Sequence, residues 1–120
     1  MPYLSRIAPE IPVSNLRESI EYYEQKLGFR NVMEIPGGEY AIVERDRVAI
    51  HLFRNDAGSR SPVGIHIFTE QLDELYAELE KRGALLSQGV VLKPWGNRDF
   101  RAVDTSGNEL KFTEPVREDA

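Results

Sequence analysis

The sequence predicts an α+β fold in which two paired β-α-β-β-β modules form a curved mixed sheet around a cleft. Three observations carry this reading. Two amphipathic helical segments each stop at a glycine, Gly28 and Gly83, which lie 55 positions apart. One strand-like run precedes each helix and three follow it, in the same order both times. Clusters of Gly, Pro, Asp and Asn separate those runs, as turns require.

Residues 6–13 predict the first strand. Leu16, Ile20, Tyr23 and Leu27 then follow at steps of four, three and four, which places them on one face of a helix. Asn15 is positioned to cap that helix, with Glu18 three residues on, and Gly28 to stop it. Three β-like runs follow at residues 29–34, 40–44 and 48–53. Pro36-Gly37-Gly38 separates the first two, and Arg45-Asp46-Arg47, with Glu44, reads as a solvated turn. Residues 54–62 are polar and carry Gly58 and Pro62, which suits a surface linker. The plan then repeats. A strand at 63–68 leads into a helix whose face is Leu72, Leu75, Tyr76 and Leu79. Glu70 lies early in it, and Lys81 and Arg82 lie late, where the helix dipole favours cations. Runs at 85–92, 99–103 and 109–113 complete the second module, with turns at Pro94-Trp95-Gly96 and from Asp104 to Asn108. Asp104 and Asn108 suit hairpin construction, since both bond local backbone and Gly107 supplies a positive φ. The expected organisation is one domain over 1–120, with module one at about 5–54 and module two at about 62–114. A single module would leave a sheet face uncovered. Pairing two lets the helices cover the outer faces while the sheets curl toward each other, leaving a concavity suited to small ligands.

Composition removes several classes of function. The chain has no cysteine, which excludes disulfides, thiol nucleophiles, zinc knuckles and iron–sulfur centres together. The formal charge is −5, and nucleic-acid binding needs clustered Lys and Arg. The densest basic spots, Arg45-Asp46-Arg47 and Arg98-Asp99-Phe100-Arg101, each contain an acid. No apolar run approaches the ~18 residues of a membrane span, and the first residues lack a basic start followed by an apolar block. A cytoplasmic protein with neither nucleic acid nor membrane as partner is therefore expected. No Gly-x-Ser-x-Gly elbow, phosphate-cradling glycine loop or Ser/His/Asp grouping is present.

The stretch VSNLRESIEYYEQKLGF (residues 13–29) resembles the opening signature of the glyoxalase/bleomycin-resistance/dioxygenase superfamily, also called the vicinal oxygen chelate superfamily. LDELYAEL (residues 72–79), Pro94-Trp95-Gly96, Asp99-Phe100, Asp104, Gly107-Asn108 and Phe112 resemble its bleomycin-resistance branch. The family fold is the paired β-α-β-β-β arrangement, in agreement with the internal repeat. Enzymes of the superfamily hold a divalent metal with four side chains, one from each of four strands. Carried onto this sequence, those positions fall at Pro9, at His51, near Gly64 (two residues before His66 on the same strand face) and at Lys111. Proline and glycine offer no ligating side chain, and a lysine ammonium only donates. Two imidazoles cannot fill a site that needs three or four protein ligands. The resemblance thus implies no catalytic residue, metal or cofactor.

Trp95, the sole tryptophan, sits between a proline and a glycine, a backbone that aims the indole outward from the strand pair. In the bleomycin-resistance family the tryptophan of this motif stacks on the flat bithiazole rings of the antibiotic, and Trp95 takes that role by resemblance. The family also supplies aromatics from the other subunit near the third strand, which makes Tyr40 a candidate and Glu39 a partner for positive charge. Here that region is less aromatic and less acidic than in the best-known members. His51 and His66 complete the candidate binding residues, although a histidine in an apolar strand also suits a hydrogen-bonded core position. A proline at position 9 accompanies exchange of the N-terminal arm between subunits in the family, which implies a homodimer. The expected function is non-enzymatic sequestration of a bleomycin-type antibiotic, or another flat, cationic ligand, in a dimer groove. The alternatives are a metal-dependent lyase or dioxygenase with His51 and His66 among its ligands, and a binding module for an unrelated metabolite.

Overall fold

A computed structural model describes residues 2–55 and 62–115. Ten elements follow in chain order: β1 (Glu10–Val13), α1 (Leu16–Gln25), β2 (Arg30–Glu34), β3 (Tyr40–Arg45), β4 (Val48–Arg54), β5 (Gly64–Phe68), α2 (Leu72–Arg82), β6 (Leu85–Leu92), β7 (Arg98–Val103) and β8 (Glu109–Glu114). Most of the expected linker lies outside the described residues.

The strands form two separate four-stranded sheets with equivalent orders, β1-β4-β3-β2 and β5-β8-β7-β6. In each, the strand before the helix pairs in parallel with the last strand of its module, and the remaining pairs are antiparallel. The duplication is therefore present in topology as well as in sequence. Alternation places Ile11, Val13, Ala41, Val43, Ile50 and Leu52 under α1, all fully buried. Phe100 and Phe112 stack beneath α2 at 5.1 Å, with Tyr76 edge-on to Phe100 at 5.1 Å.

The helix signals operate as expected at three of four ends. The Asn15 side chain accepts the Glu18 N–H at 3.0 Å. Gly28, at φ +76°, follows the end of α1, and Gly83, at φ +84°, caps α2 in the left-handed region. Gly28 has a second use, because a Cβ there would lie 2.6 Å from the Arg45 guanidinium. At the fourth end, α2 starts after Gln71 with no side-chain cap.

Three expectations need correction. The first strand begins at Glu10 rather than residue 6. Pro9 gives its carbonyl to the His51 N–H at 3.0 Å but has no N–H with which to extend the ladder. Upstream of it Tyr3, Leu4 and Ile7 are 84%, 99% and 93% exposed. The turn after β3 is not simply solvated, since Arg45 donates to the Leu27 carbonyl and to both oxygens of Glu78 on α2 at 2.6–2.9 Å. Finally, the modules meet on their helical side. One continuous core holds Ile20 and Tyr23 of α1 together with Leu72, Leu79 and Phe112 of the second module.

Asp104 is the centre of that joint. Its side chain is buried, accepts the backbone N–H groups of Ser106 and Asn108 at 2.8 and 2.9 Å, and receives the Tyr23 hydroxyl at 2.8 Å. Asn108 extends the link by donating to the Pro12 carbonyl and accepting from the Val63 N–H. The Tyr22 hydroxyl donates to the Val103 carbonyl and accepts the Leu85 N–H, both at 2.8 Å. The hairpin from Asp104 to Asn108 thus builds its own turn and staples α1 to the second sheet.

Burial raises the Tyr23 phenol well above its ordinary value of 10.0, and the neighbouring Asp104 carboxylate raises it further. A folded phenol that holds its proton more tightly than the unfolded one contributes stability in full below pH 10, and loses it as the pH rises toward the folded value. Urea denaturation should therefore show stability falling above about pH 10. Tyr23→Phe should cost about 1–3 kcal/mol at neutral pH and flatten that alkaline slope.

Candidate functional site

Each sheet has one face under its helix and one without helical cover, and the five candidate residues divide between the two sheets. Tyr40 and His51 lie on the first sheet with Glu39 at its edge, whereas His66 lies on the second with Trp95 at its rim. A crevice of about 640 Å³ does run between the modules, lined by Leu27, Phe29 and Val48 against Ile67, Leu75 and Phe112. None of the five candidates lines it.

On the first sheet, the register that sets Glu10 opposite His51, and Ile42 opposite His51, brings Glu10 and Tyr40 to the same imidazole. The Tyr40 hydroxyl donates to the Glu10 carboxylate at 2.9 Å and lies 2.7 Å from His51 Nδ1. A hydroxyl has a single proton. With that proton given to a carboxylate, which only accepts, the Tyr40 oxygen is left to accept from Nδ1–H. The neutral imidazole is thereby held as the Nδ1–H tautomer, with its Nε2 lone pair unused by this chain of bonds. Loss of solvent around the hydroxyl, followed by the Glu10 carboxylate, raises the Tyr40 phenol above its ordinary range. Glu39 is 62% exposed at its side chain and sits 3.8 Å from Arg54.

On the second sheet, the turn carrying Trp95 is closed by Lys93 N–H to the Asn97 carbonyl at 2.8 Å and Gly96 N–H to the Lys93 carbonyl at 2.9 Å. Gly96 adopts φ +103°, a conformation that side chains resist. The indole is 67% exposed. It lines a cavity of about 400 Å³ together with His66, Phe68, Lys93, Arg101 and Lys111. The His66 and Phe68 rings lie nearly parallel at 6.4 Å, and His66 Nδ1 is 3.3 Å from the Thr113 hydroxyl.

The positions at which the superfamily's enzymes bind metal do not fit a four-side-chain centre. The Pro9 carbonyl is used by the His51 N–H, and the Tyr40 hydroxyl occupies His51 Nδ1. The Lys111 chain crosses Gly64, with Cε 3.4 Å from where a Cβ would stand. Among the described residues no three of His, Asp and Glu group around a common point. An ammonium therefore stands where that arrangement needs a donor atom.

A sequence model of the Glyoxalase/Bleomycin resistance protein/Dioxygenase superfamily matches residues 4–112. The chain belongs to this superfamily. A bleomycin resistance protein of Geobacillus stearothermophilus is 31% identical over 129 aligned residues, covering 91% of this chain and 96% of the relative. Solved structures with the same fold include a bleomycin-binding protein from Streptomyces verticillus complexed with copper(II)-bleomycin. That structure has a TM-score of 0.81 at 19% identity and covers 98% of this chain and 100% of that one. A lactoylglutathione lyase from Agrobacterium tumefaciens is also similar, with a TM-score of 0.76 at 17% identity, covering 94% and 95%. At such identities the superfamily fold is shared by a binding protein and an enzyme, so function rests on side chains.

Sequence reasoning missed Glu10 and the basic lining around Trp95. The signal for Glu10 lay in the parallel pairing of the first and last strands, which sets it beside His51. Tyr40→Phe should release the imidazole from its fixed tautomer. In a long-range proton–nitrogen spectrum of neutral His51, proton occupancy should move from Nδ1 toward Nε2 in the variant. An unchanged spectrum would show that Tyr40 does not hold the ring.

Proposed function

We propose that this protein sequesters a bleomycin-type antibiotic, or another flat molecule of that kind, without transforming it, in a groove closed between two copies of the chain. The observation that carries this reading is Trp95, an indole held by a rigid turn and 67% exposed at the mouth of a cavity with two further flat rings, His66 and Phe68. Stacking adds on the order of 1 kcal/mol per aromatic contact beyond the area buried, so several contacts reach useful affinity. Holding a drug away from its target requires no chemical step. The bleomycin resistance relative at 31% identity supports this ligand class. Glu10, bonded to Tyr40, and the largely exposed Glu39 offer carboxylates at the first sheet for the cationic parts of such a ligand.

A second copy is supported by what one chain leaves open. Phe68, Trp95 and Leu92 are each about two-thirds exposed, and the arm before β1 exposes three large apolar side chains. Exposed large apolar side chains of this kind suit an interface. Arm exchange would cover residues 3–7 and bring the first sheet of one copy to the second sheet of its partner. A metal-dependent lyase or dioxygenase remains the alternative, and Pro9, Gly64 and Lys111 stand against it. Single-domain organisation and a cytoplasmic location are part of the same proposal; no helix among the described residues is long and apolar enough to cross a membrane.

Titration with bleomycin tests the reading directly, because Trp95 is the only indole. Binding should change its emission and protect DNA from bleomycin cleavage. Trp95→Ala should weaken binding by about tenfold or more while leaving the far-ultraviolet circular dichroism of the fold unchanged, since within one chain the side chain is mostly exposed. Unchanged emission together with unprotected DNA would overturn the proposal.

A further inference from the structure

We infer that the cavity beside Trp95 binds a planar aromatic group bearing an anionic substituent, of the carboxylate or sulfonate class. This rests on Trp95 serving as a stacking platform and adds the charge of the group that stacks there.

The lining sets that charge. Lys93, Arg101 and Lys111 all face the cavity, with Asp99 the sole acid among its lining residues. Asp99 is already engaged: buried, it accepts Gln88 Nε2 at 2.6 Å and lies 3.7 Å from the Lys93 ammonium. The other two cations share one carboxylate oxygen, Glu109 Oε1, at 3.4 Å from Arg101 and 3.9 Å from Lys111. Three cations thus meet two acids, and two of these three ion pairs fall on a single acceptor atom. Arg101 Nε is buried with no hydrogen-bond partner among the described residues. An unpartnered buried donor is costly, so this guanidinium is short of acceptors.

Backbone geometry keeps the charges in place. Lys111 lies opposite His66 in the parallel register and runs across Gly64, where the absence of a side chain leaves it an unobstructed path over β5. The side chains of Lys93, Arg101 and Lys111 are only 17%, 31% and 26% exposed, so much of their hydration is already removed. Charge-assisted hydrogen bonds from such partly desolvated donors are stronger than those at an open surface. The flat walls, Trp95, Phe68 and His66, then select planarity while the three cations select charge. A cavity of about 400 Å³ accepts a two-ring aromatic system.

Three isosteric probes separate shape from charge: 2-naphthoate, 2-naphthamide and 2-naphthylmethylammonium, titrated calorimetrically at equal ionic strength against the full-length protein. The naphthoate should bind about tenfold or more tighter than the amide, with the ammonium weakest. Lys111→Met should remove most of that preference while leaving amide affinity unchanged, and Trp95→Ala should weaken all three. If the amide or ammonium binds as tightly as the naphthoate and Trp95→Ala still abolishes binding, the anionic assignment falls and the stacking platform stands. If none of the three binds, or Trp95→Ala changes nothing, the platform falls with it.

Discussion

The side of the modules on which they are stapled governs what the rest of the molecule can do. A buried carboxylate, Asp104, gathers two backbone N–H groups of its own hairpin and the hydroxyl of Tyr23 from the other module's helix. Because these bonds reach α1, the helical faces merge into one core and the opposite faces of both sheets stay without helical cover. A buried acceptor of this kind tolerates little rearrangement, since each donor it loses leaves a polar group stranded away from water. Arg45 and Glu78 make a second, more exposed link across the same joint, and the hydrogen bond from Arg45, followed by that from Arg82, holds the Glu78 carboxyl below its ordinary range.

The two open faces differ in chemistry although they descend from the same plan. At the corresponding place in the last strand, one module carries His51, oriented by Tyr40 and Glu10, and the other carries Lys111 lying over Gly64. The first face has an imidazole tautomer fixed through Tyr40 by the Glu10 carboxylate. The second has aromatic walls and an excess of cations. In the proposed groove, a ligand spanning both would meet unlike surroundings at its two ends, which would select orientation as well as shape. Among the described residues, neither face groups three His, Asp or Glu side chains around a common point.

Much of this was legible in the sequence, and the limits have physical causes. Helix periodicity, the Asn15 cap and the stop glycines are local, so Leu16, Ile20, Tyr23 and Leu27 announced their shared face without any tertiary information. The first strand was overextended because strand formation depends on a partner, and residues 6–8 resemble strand yet pair with no strand among the described residues. Arg45 looked solvated because its acceptors, Leu27 and Glu78, come from other elements. Asp104 was legible as a turn residue but not as a staple, since nothing local points to Tyr23. Likewise, the basic lining around Trp95 draws on the turn after β6, on β7 and on β8, and sequence distance hides that convergence.

Joining the modules on their helical side leaves sheet faces without helical cover and, among the described residues, an exposed arm before β1, which the proposed second copy would complete. Sedimentation velocity over micromolar concentrations measures this directly, comparing the full chain with one lacking residues 2–8. The account predicts a dimer for the full chain and a shift toward monomer on removal of the arm. A full chain that sediments as a monomer throughout would contradict it.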